Sequence, residues 1–420
     1  MSGLLGLAAR SAWNRRFVLS LVAASIALAT LLLLTVERVR QDVRTNFAQS
    51  VAGTDLIVGP RTGAVQLLLY TVFRIGQPSN NLRWDSVQAV AAMPAVAWTV
   101  PISIGDSHRG FAVVGSTADY FTRFRYGDDQ ALAFAQGRAF AAVFEAVIGG
   151  DVAERLGYRP GERIVLSHGG GEFHEHDHGD KPFTVAGVLA RTGTPVDRSV
   201  HVSLEGLQAV HLDWIAGVPL PGLKVTPEQA LERDLRPRAV TALLVGLKQR
   251  SAVLSVQRCV AEYEAEPLMA VLPGVALDEL WTLVGAGERA LLLTSALVAV
   301  VGGLGLVAVI LAGLDQRRRE LAILRAVGAG PRTIAVLLAL EGALVTLAGV
   351  TLGVLATALG LTAAAPWVLA HYGVVLHPLR LGVPEALWVA LLLAGGWLAS
   401  LVPGWRAYRI ALADGLQPRV

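Results

Sequence analysis

The stretch that decides the fold runs from residue 315 to residue 332 and reads DQRRRELAILRAVGAGPR. Leu321, Leu324 and Val327 are spaced as one face of a helix, with arginines at its start and on the other face. Glycine often ends a helix and proline often begins one, so the residues that follow predict a stop and a second helix. The stretch therefore predicts a short amphipathic helix between two longer ones.

Long apolar runs surround this helix and indicate a membrane protein. Of the 420 residues, 53% are hydrophobic and 16% are charged, against about 25% charged in an ordinary soluble domain. A helix needs about twenty apolar residues to cross a bilayer. Four runs meet this length and predict transmembrane helices over residues 17–36, 290–314, 334–365 and 383–402.

The first apolar run is interpreted as a retained anchor. A cleaved signal peptide usually has an apolar region of about 7 to 15 residues followed by a site of small residues. The run here is longer, and Thr35, Val36, Glu37 and Arg38 follow it directly. The N-terminal helix is therefore expected to remain in the membrane.

Arginines flank the apolar runs on one side, which predicts the orientation in the membrane. They cluster in residues 1–16, 315–333 and 403–420, and such short basic flanks stay in the cytoplasm. With four spans, both termini are expected in the cytoplasm. Residues 37–289 and the short loop at residues 366–382 are then expected outside.

The large segment at residues 37–289 predicts an α+β domain whose last residues form a stalk leading into the second span. Its helical and β-rich patterns alternate irregularly, so no doubly wound sheet is expected. The predicted fold is an α-helical membrane protein with four transmembrane helices plus a large extracytoplasmic α+β domain between helices 1 and 2. Strands are predicted over residues 55–58, 97–102, 111–115, 164–166, 183–189, 199–203 and 239–246, and helices over residues 84–92, 149–156, 204–212, 227–232 and 252–265.

A histidine-rich loop occupies residues 167–181, at the tip of a predicted hairpin. His174, His176 and His178 point to one face of an extended chain and, with His168, supply imidazoles that suit zinc, copper or nickel. The alternative is a solvated polar tip with incidental metal affinity. Residues 174–178 read HEHDH and match H-E-x-x-H formally. That pattern binds zinc from one face of a helix, and the glycine-rich, strand-like setting here disfavours a metallohydrolase.

Other polar and small residues receive structural interpretations. His201 and His211 lie on ordinary strand and helix patterns and are expected to be structural. Glu341 lies inside the third apolar run, near its predicted cytoplasmic end, and a solvated or capped position is expected there. Gly349 and Gly353 form a GxxxG step that favours close helix packing, within the chain or with a second copy.

The composition excludes several functions. Lysine occurs only at Lys181, Lys224 and Lys248, and none of them follows a glycine, so the chain contains no Walker A loop for ATP. Cys259 is the only cysteine, which excludes an intrachain disulfide and a cysteine-based metal cluster. The formal charge of +3 is too small to indicate a nucleic-acid surface. The chain is therefore not expected to be an enzyme or a nucleic-acid-binding protein.

The sequence resembles a known family in three places. RRRELAILRAVGAGPRTI at residues 317–334 resembles the signature of the MacB/FtsX-like ABC transporter permeases, the lipoprotein-releasing and macrolide-exporter type. VGSTADYF at residues 114–121 looks like their G-x-x-x-x-Y-F turn, and PGWRAYR at residues 403–409 is similar to their C-terminal ending. Asp414 and Gly415 replace the Glu and Ala that are more usual there.

The resemblance implies the permease subunit of an ABC transporter in a bacterial inner membrane, with its large domain in the periplasm. Such permeases pair with a second copy or a related permease and bind a separate cytoplasmic ATPase that holds ATP and magnesium. They perform mechanical work outside the membrane, here the export or extraction of a lipoprotein, peptide or small hydrophobic compound, sometimes with a periplasmic adaptor. The ATPase contact is expected at Arg317, Arg318, Arg319, Glu320, Leu321, Ile323, Leu324 and Arg325.

Two alternatives stay open. Periodicity alone does not distinguish a helix that binds a partner from one that lies on anionic membrane lipid. The alternative function is a membrane-anchored zinc sensor or scaffold that acts through the histidine-rich loop. A co-purifying ATPase favours the transporter, and metal-dependent partner binding without an ATPase favours the sensor.

Overall fold

Four helices are long and apolar enough to cross a membrane, in a computed structural model that describes residues 16–168, 179–215, 218–219, 225–316, 323–372, 374–377 and 382–413. We name them M1 (Arg16–Gln49), M2 (Pro273–Gln316), M3 (Pro331–Tyr372) and M4 (Val383–Ala413). M1 and M2 extend well beyond the apolar runs at residues 17–36 and 290–314. Polar residues that favour a helix follow the apolar run of M1 and precede that of M2. These polar parts of the two helices lead into the α+β domain.

The chain divides into two compact units. The membrane unit comprises Met1–Asp42, Gly285–Val368 and Leu376–Val420, and the extracytoplasmic unit comprises Val43–Val284 and Leu369–Val375. The predicted fold class, four membrane helices with an α+β domain between the first two, is confirmed.

Small residues bring M3 close to M1 inside the membrane unit. A Cβ atom added at Gly353 would lie 2.5 Å from the Thr30 Cβ and 2.7 Å from the Ala27 carbonyl oxygen. One added at Gly349 would lie 2.8 Å from the Ala23 carbonyl oxygen. The GxxxG step therefore packs M3 against M1 within the chain.

Replacing Gly353 by leucine is expected to destabilise the membrane unit by at least the ~1–3 kcal/mol typical of overpacking, because M1 leaves no room for the side chain. The thermal unfolding midpoint of the detergent-solubilised protein measures the effect. Gly360 on the same helix is the matched control, because an added Cβ there meets no atom within 4 Å of the described structure. Equal effects of Gly353→Leu and Gly360→Leu would contradict the packing role.

Glu341 is buried, which contradicts a solvated position and leaves the capped position as a prediction. The residue is only 1% exposed. Its neighbour Gly342 lies against M4, where an added Cβ would be 2.5 Å from the Ser400 Cβ. The close approach of M4 excludes water from this part of M3 and accounts for the burial.

An apolar cavity of about 420 Å³ also lies within the membrane unit. Its lining includes Ile26 of M1, Leu304 of M2, Thr346 of M3 and Leu391 of M4. The helices therefore contact one another tightly at the M1 and M3 glycine step but leave space elsewhere.

The extracytoplasmic unit is built on an eleven-stranded mixed sheet. The strands of the unit are β1 (Leu56–Pro60), β2 (Leu82–Arg83), β3 (Val96–His108), β4 (Phe111–Ser116), β5 (Arg125–Tyr126), β6 (Gln130–Ala131), β7 (Phe134–Gly137), β8 (Glu145–Ile148), β9 (Arg163–Ile164), β10 (Ser167–His168), β11 (Phe183–Leu189), β12 (Ser199–Ser203), β13 (Trp214–Ile215), β14 (Val218–Pro219), β15 (Ala239–Val240), β16 (Ala242–Leu247) and β17 (Leu268–Val271).

The strands of the large sheet have the order β17-β1-β16-β3-β4-β12-β8-β11-β7, in which β10 also pairs with β3 and β9 with β11. The pairs β4–β12 and β8–β11 are parallel, and the other pairs of this sheet are antiparallel.

Shorter helices connect these strands and cover the sheet. Successive strand residues point to opposite faces. Ile57 accordingly lies in one buried cluster, with Leu67, whereas Leu56 and Val58 lie in another, with Val87. Both faces of this part of the sheet are therefore covered. The short α-helices are Ala64–Thr71, Trp84–Ala91, Asp119–Arg123, Gly150–Leu156, Leu204–Val210, Pro227–Leu231 and Val253–Ala261, and 3-10 turns occur at Pro195–Arg198 and Arg250–Ala252.

Candidate functional site

The predicted ATPase contact lies in the segment between M2 and M3. Of its expected residues, Ile323, Leu324 and Arg325 are described and lie on one helical turn at residues 323–326. The other five, Arg317, Arg318, Arg319, Glu320 and Leu321, lie outside the described residues. The structure therefore describes only part of the segment expected to bind the ATPase, and binding of the ATPase stays a prediction.

The end of this turn is defined by backbone hydrogen bonds. The Ala329 N–H donates to the Leu324 carbonyl at 2.9 Å, and the Gly328 N–H donates to the Arg325 carbonyl at 2.9 Å. Gly328 has a φ of +97°, which glycine adopts at little cost, and the two bonds form a Schellman stop. Pro331 begins M3. The predicted stop and restart are confirmed.

Apolar side chains on this turn face solvent. Ile323 is 64% exposed and Val327 is 83% exposed, while Leu324 is partly buried. An exposed apolar stripe beside an exposed arginine suits a protein groove or a lipid surface. The segment therefore retains both of the interpretations that its periodicity allows.

A second candidate element is the pair of stalks where M1 and M2 enter the extracytoplasmic unit. The Phe47 ring from M1 stacks on Phe73 with centroids 4.2 Å apart and meets Trp281 of M2 edge-on at 5.5 Å. The Arg44 guanidinium lies 5.3 Å from the Trp281 ring centroid, a cation–π contact. Leu277 of M2 lies in the core of the same unit. The two stalks are thus packed together and against the domain.

The membrane unit contains a buried network of charges. Arg38 Nη1 lies 3.1 Å from Glu385 Oε1 of M4, and Arg38 Nη2 lies 3.4 Å from Asp42 Oδ1. The His377 backbone N–H donates to Asp42 Oδ2 at 2.8 Å. Glu385 is 2% exposed and Arg38 8% exposed. We call this set the charge network; its members are Glu37, Arg38, Arg40, Asp42, Glu288, His377 and Glu385.

The charge network joins four chain segments: M1, M2, M4 and the segment that contains His377. Arg40 pairs with Glu37 at 2.6 Å on M1 and lies 3.9 Å from Glu288 of M2. Arg38 links M1 to M4 as described above. Buried ion pairs with several hydrogen bonds fix the relative positions of the elements they join. Sequence analysis missed this network, although its i,i+3 and i,i+4 spacing on M1 is a visible signal.

Three of the four predicted metal ligands, His174, His176 and His178, lie outside the described residues. His168 ends β10, and its backbone pairs with Asp106 of β3. No group of three or more metal-ligating side chains occurs among the residues that the structure describes. The zinc site stays a prediction.

The two flanks of the histidine-rich loop are anchored to the domain, one by a buried ion pair and the other by a strand pair. On its C-terminal side, Lys181 Nζ lies 2.7 Å from Asp213 Oδ1 and is fully buried. Burial alone would raise the pKa of Asp213, but the hydrogen bonds from Lys181 and the Val225 N–H outweigh it and hold the pKa below its usual value. On the N-terminal side, the strand pair β10–β3 holds the chain. Both flanks of the loop are therefore held by the domain.

The two isolated histidines have structural surroundings, as expected. His201 is fully buried beside Tyr120 and Phe121, and burial lowers its pKa to about 3. His211 donates from Nδ1 to the Leu207 carbonyl at 2.6 Å. Burial alone would lower the pKa of His211, but the nearby Asp106 carboxylate outweighs this effect and raises it.

Two family models match the chain. The model of the MacB-like periplasmic core domain matches residues 18–234, which is more than half of the chain. The model of the FtsX-like permease C-terminal region matches residues 292–412. The two matches together include M1 from residue 18, the described turn between M2 and M3, and M4 up to residue 412.

The matches to solved structures are of low similarity. The periplasmic region of MacB from Actinobacillus actinomycetemcomitans is 10% identical over 56% of this chain and 95% of its own, with a TM-score of 0.33. The extracellular domain of the noncanonic ABC-type transporter YknZ from Gram-positive bacteria is 12% identical over 52% of this chain and 98% of its own, with a TM-score of 0.30. Curated protein sequences give no match. On the strength of the two family models, the chain belongs to the MacB/FtsX-like family of ABC transporter permeases.

Proposed function

We propose that this permease subunit transmits movement, driven by ATP hydrolysis in a separate cytoplasmic ATPase, to its extracytoplasmic domain. The work is the export or extraction of a lipoprotein, a peptide or a small hydrophobic compound. Members of this family work with a cytoplasmic ABC ATPase, and the sequence contains no Walker A loop of its own. The energy therefore comes from the partner subunit.

The observation that carries this proposal is the continuity of M1 and M2 from the membrane into the domain. M2 is one helix of 44 residues, which at about 1.5 Å per residue spans about 66 Å. Its first turns pack in the core of the extracytoplasmic unit through Leu277, and Trp281 contacts Phe47 of M1. A displacement of either helix at its membrane end reaches this core without an intervening loop.

In this proposal the segment between M2 and M3 receives the movement of the ATPase. Its described part begins at Ile323, and Ile323 and Val327 are exposed. In this proposal the apolar stripe fills a groove of the ATPase, and the arginines fix the register through charge complementarity. Both termini and this segment then lie in the cytoplasm, and two copies of the chain form the working permease.

Nucleotide-driven movement of the stalks tests the proposal. Spin labels are placed on Leu283→Cys, an exposed stalk position, in a Cys259→Ser background. In the complex with its ATPase, ATP plus vanadate is expected to shift the distance between the labels of the two copies. Trp281→Ala is expected to reduce the shift while basal ATP turnover continues, because the variant loses the contact with Phe47.

Thr282→Ala is the matched control, because Thr282 is exposed and its hydroxyl donates only within M2, to the Asp278 carbonyl at 3.0 Å. It is expected to retain the full shift. A label distance that nucleotide leaves unchanged would contradict the movement. If no interaction between two labels can be detected, the result would contradict the pairing of two copies.

The zinc-sensor alternative depends on His174, His176 and His178 and stays a prediction. Its supporting observation is the anchored base of the loop, formed by the β10–β3 pair and the Lys181–Asp213 ion pair. The two functions are separable, because the sensor requires no nucleotide-dependent movement of the stalks.

A further inference from the structure

A cavity of about 290 Å³ in the extracytoplasmic unit is lined by two arginines that belong to distant parts of the sequence. Arg74 follows the helix Ala64–Thr71, and Arg198 ends the 3-10 turn Pro195–Arg198. The start of β4 lies between them, with Phe111 on the cavity wall. Three segments thus bring two guanidinium groups to one concave site.

The Arg74 guanidinium is buried without the partners that such a group normally has. Its Nε and Nη1 atoms are inaccessible to solvent and have no hydrogen-bond partner among the described residues. Each unmade bond of a buried charged donor costs free energy, and buried charges are normally paired. Behind these atoms the guanidinium contacts the Tyr120 hydroxyl, but Arg74 as a whole is only partly buried and lines the cavity. Its charge is therefore available to an anion.

The backbone at Arg74 is also strained. Its φ is +59°, in the left-handed region that side chains other than glycine rarely adopt. Residues held in such conformations occur often at ligand-binding sites, where the surrounding structure compensates the cost. The fold thus holds Arg74 in a costly conformation that directs it to the cavity wall.

The groups behind Arg74 do not neutralise it. Burial raises the pKa of Tyr120 to about 12, although the Arg74 charge acts in the opposite direction, so the phenol is neutral. Burial, with a further contribution from the Arg74 charge, lowers the pKa of His201 to about 3, so the imidazole is neutral too. Burial likewise lowers the pKa of Arg74 itself. No carboxylate pairs with Arg74 in the described part of the chain.

The remaining wall of the cavity is apolar. Phe73, Ile75, Phe111 and Pro195 contribute to it. Ligand sites commonly combine an apolar wall with a few polar groups that fix orientation. An arginine fork recognises a carboxylate or phosphate through two parallel hydrogen bonds.

We propose that this cavity binds a small amphipathic anion, whose carboxylate or phosphate group is held by Arg74 and Arg198 and whose apolar part lies against Phe111 and Ile75. The ligand supplies a counter-charge for Arg74. This site is separate from the segment between M2 and M3, and its occupancy does not depend on the proposed ATPase coupling.

The test uses the full chain in detergent and three probes: benzoate, its neutral analogue benzamide, and inorganic phosphate. Benzoate is expected to raise the thermal unfolding midpoint in a concentration-dependent way, because a ligand that binds only the folded state stabilises it. Benzamide is expected to produce no shift, and phosphate a smaller one than benzoate. Equal shifts with benzoate and benzamide would overturn the requirement for an anion. Equal shifts with benzoate and phosphate would overturn the contribution of the apolar wall.

Variants locate the site. Arg74→Gln is expected to abolish the benzoate shift, and Arg198→Gln to weaken benzoate binding at least tenfold. The control is Arg123→Gln, an exposed arginine outside the cavity, which is expected to bind benzoate normally. Should Arg74→Gln fail to fold, Arg198→Gln still decides the result. Unchanged benzoate binding in the folded arginine variants overturns the proposal.

Discussion

Replacing Leu324 by aspartate is expected to abolish stimulation of the partner ATPase while the chain remains in the membrane. Leu324 lies on the turn between M2 and M3, between the exposed Ile323 and Arg325. A carboxylate forced into an apolar groove loses its hydration without gaining a partner. We expect binding to weaken by at least about tenfold, equivalent to about 1.4 kcal/mol. Co-purification and ATP turnover in the reconstituted complex measure the effect.

The matched control is Ala326→Asp, on the same turn but about 200° away around the helix from Leu324. It adds the same charge at an exposed position, and we expect it to retain most of the stimulation. Normal ATP turnover with Leu324→Asp would contradict the assignment of this segment as the ATPase contact. Equal loss in both variants would indicate a general effect of negative charge, as expected for a helix that lies on anionic lipid.

Replacing Arg38 by alanine is expected to destabilise the membrane unit by about 3–5 kcal/mol, the typical cost of removing one partner from a buried ion pair. The change removes the cation that pairs with Glu385 at 3.1 Å and with Asp42 at 3.4 Å. Glu385 is 2% exposed and Asp42 5% exposed, so water cannot readily replace the lost partner. The unfolding midpoint in detergent measures the loss.

Arg289→Ala is the control for this prediction, because Arg289 is an exposed arginine on M2. Exposed substitutions usually change the free energy of unfolding by less than about 0.5 kcal/mol. Adding Glu385→Gln to Arg38→Ala is expected to recover part of the loss, since the uncompensated carboxylate is then neutral. A loss no larger than that of Arg289→Ala would contradict the role of the charge network.

Local patterns predicted the elements whose determinants are local. The strands at residues 183–189 and 199–203 have the predicted bounds, because each is a β-rich run bounded by turn residues. The stop at Gly328 was predictable for the same reason. β8 (EAVI) and β17 (LMAV) were missed, because Glu, Ala, Leu and Met favour a helix more than a strand.

The contacts that define the sites were not predictable in this way. Arg38 and Glu385 are separated by 347 residues in the sequence. Arg74 and Arg198 line the same cavity, although one precedes β4 in the sequence and the other follows it. The charged residues of M1 were interpreted as the start of the external domain, because hydropathy falls at Glu37. The structure instead buries them against M4. Charge spacing within one helix predicts pairs along that helix but carries no information about its neighbours.

The glycine step of M3 has a further consequence for how the bundle deforms. Ile26 and Thr30 sit directly over the backbone of Gly349 and Gly353, so sliding one helix past the other would force side chains into main-chain atoms. We therefore expect M1 and M3 to move together. M4 is held to M3 in a similar way, since an added Cβ at Gly396 would lie 2.3 Å from the Thr346 Cγ2. A rearrangement within the bilayer is therefore expected to involve mainly M2, for which the cavity provides clearance.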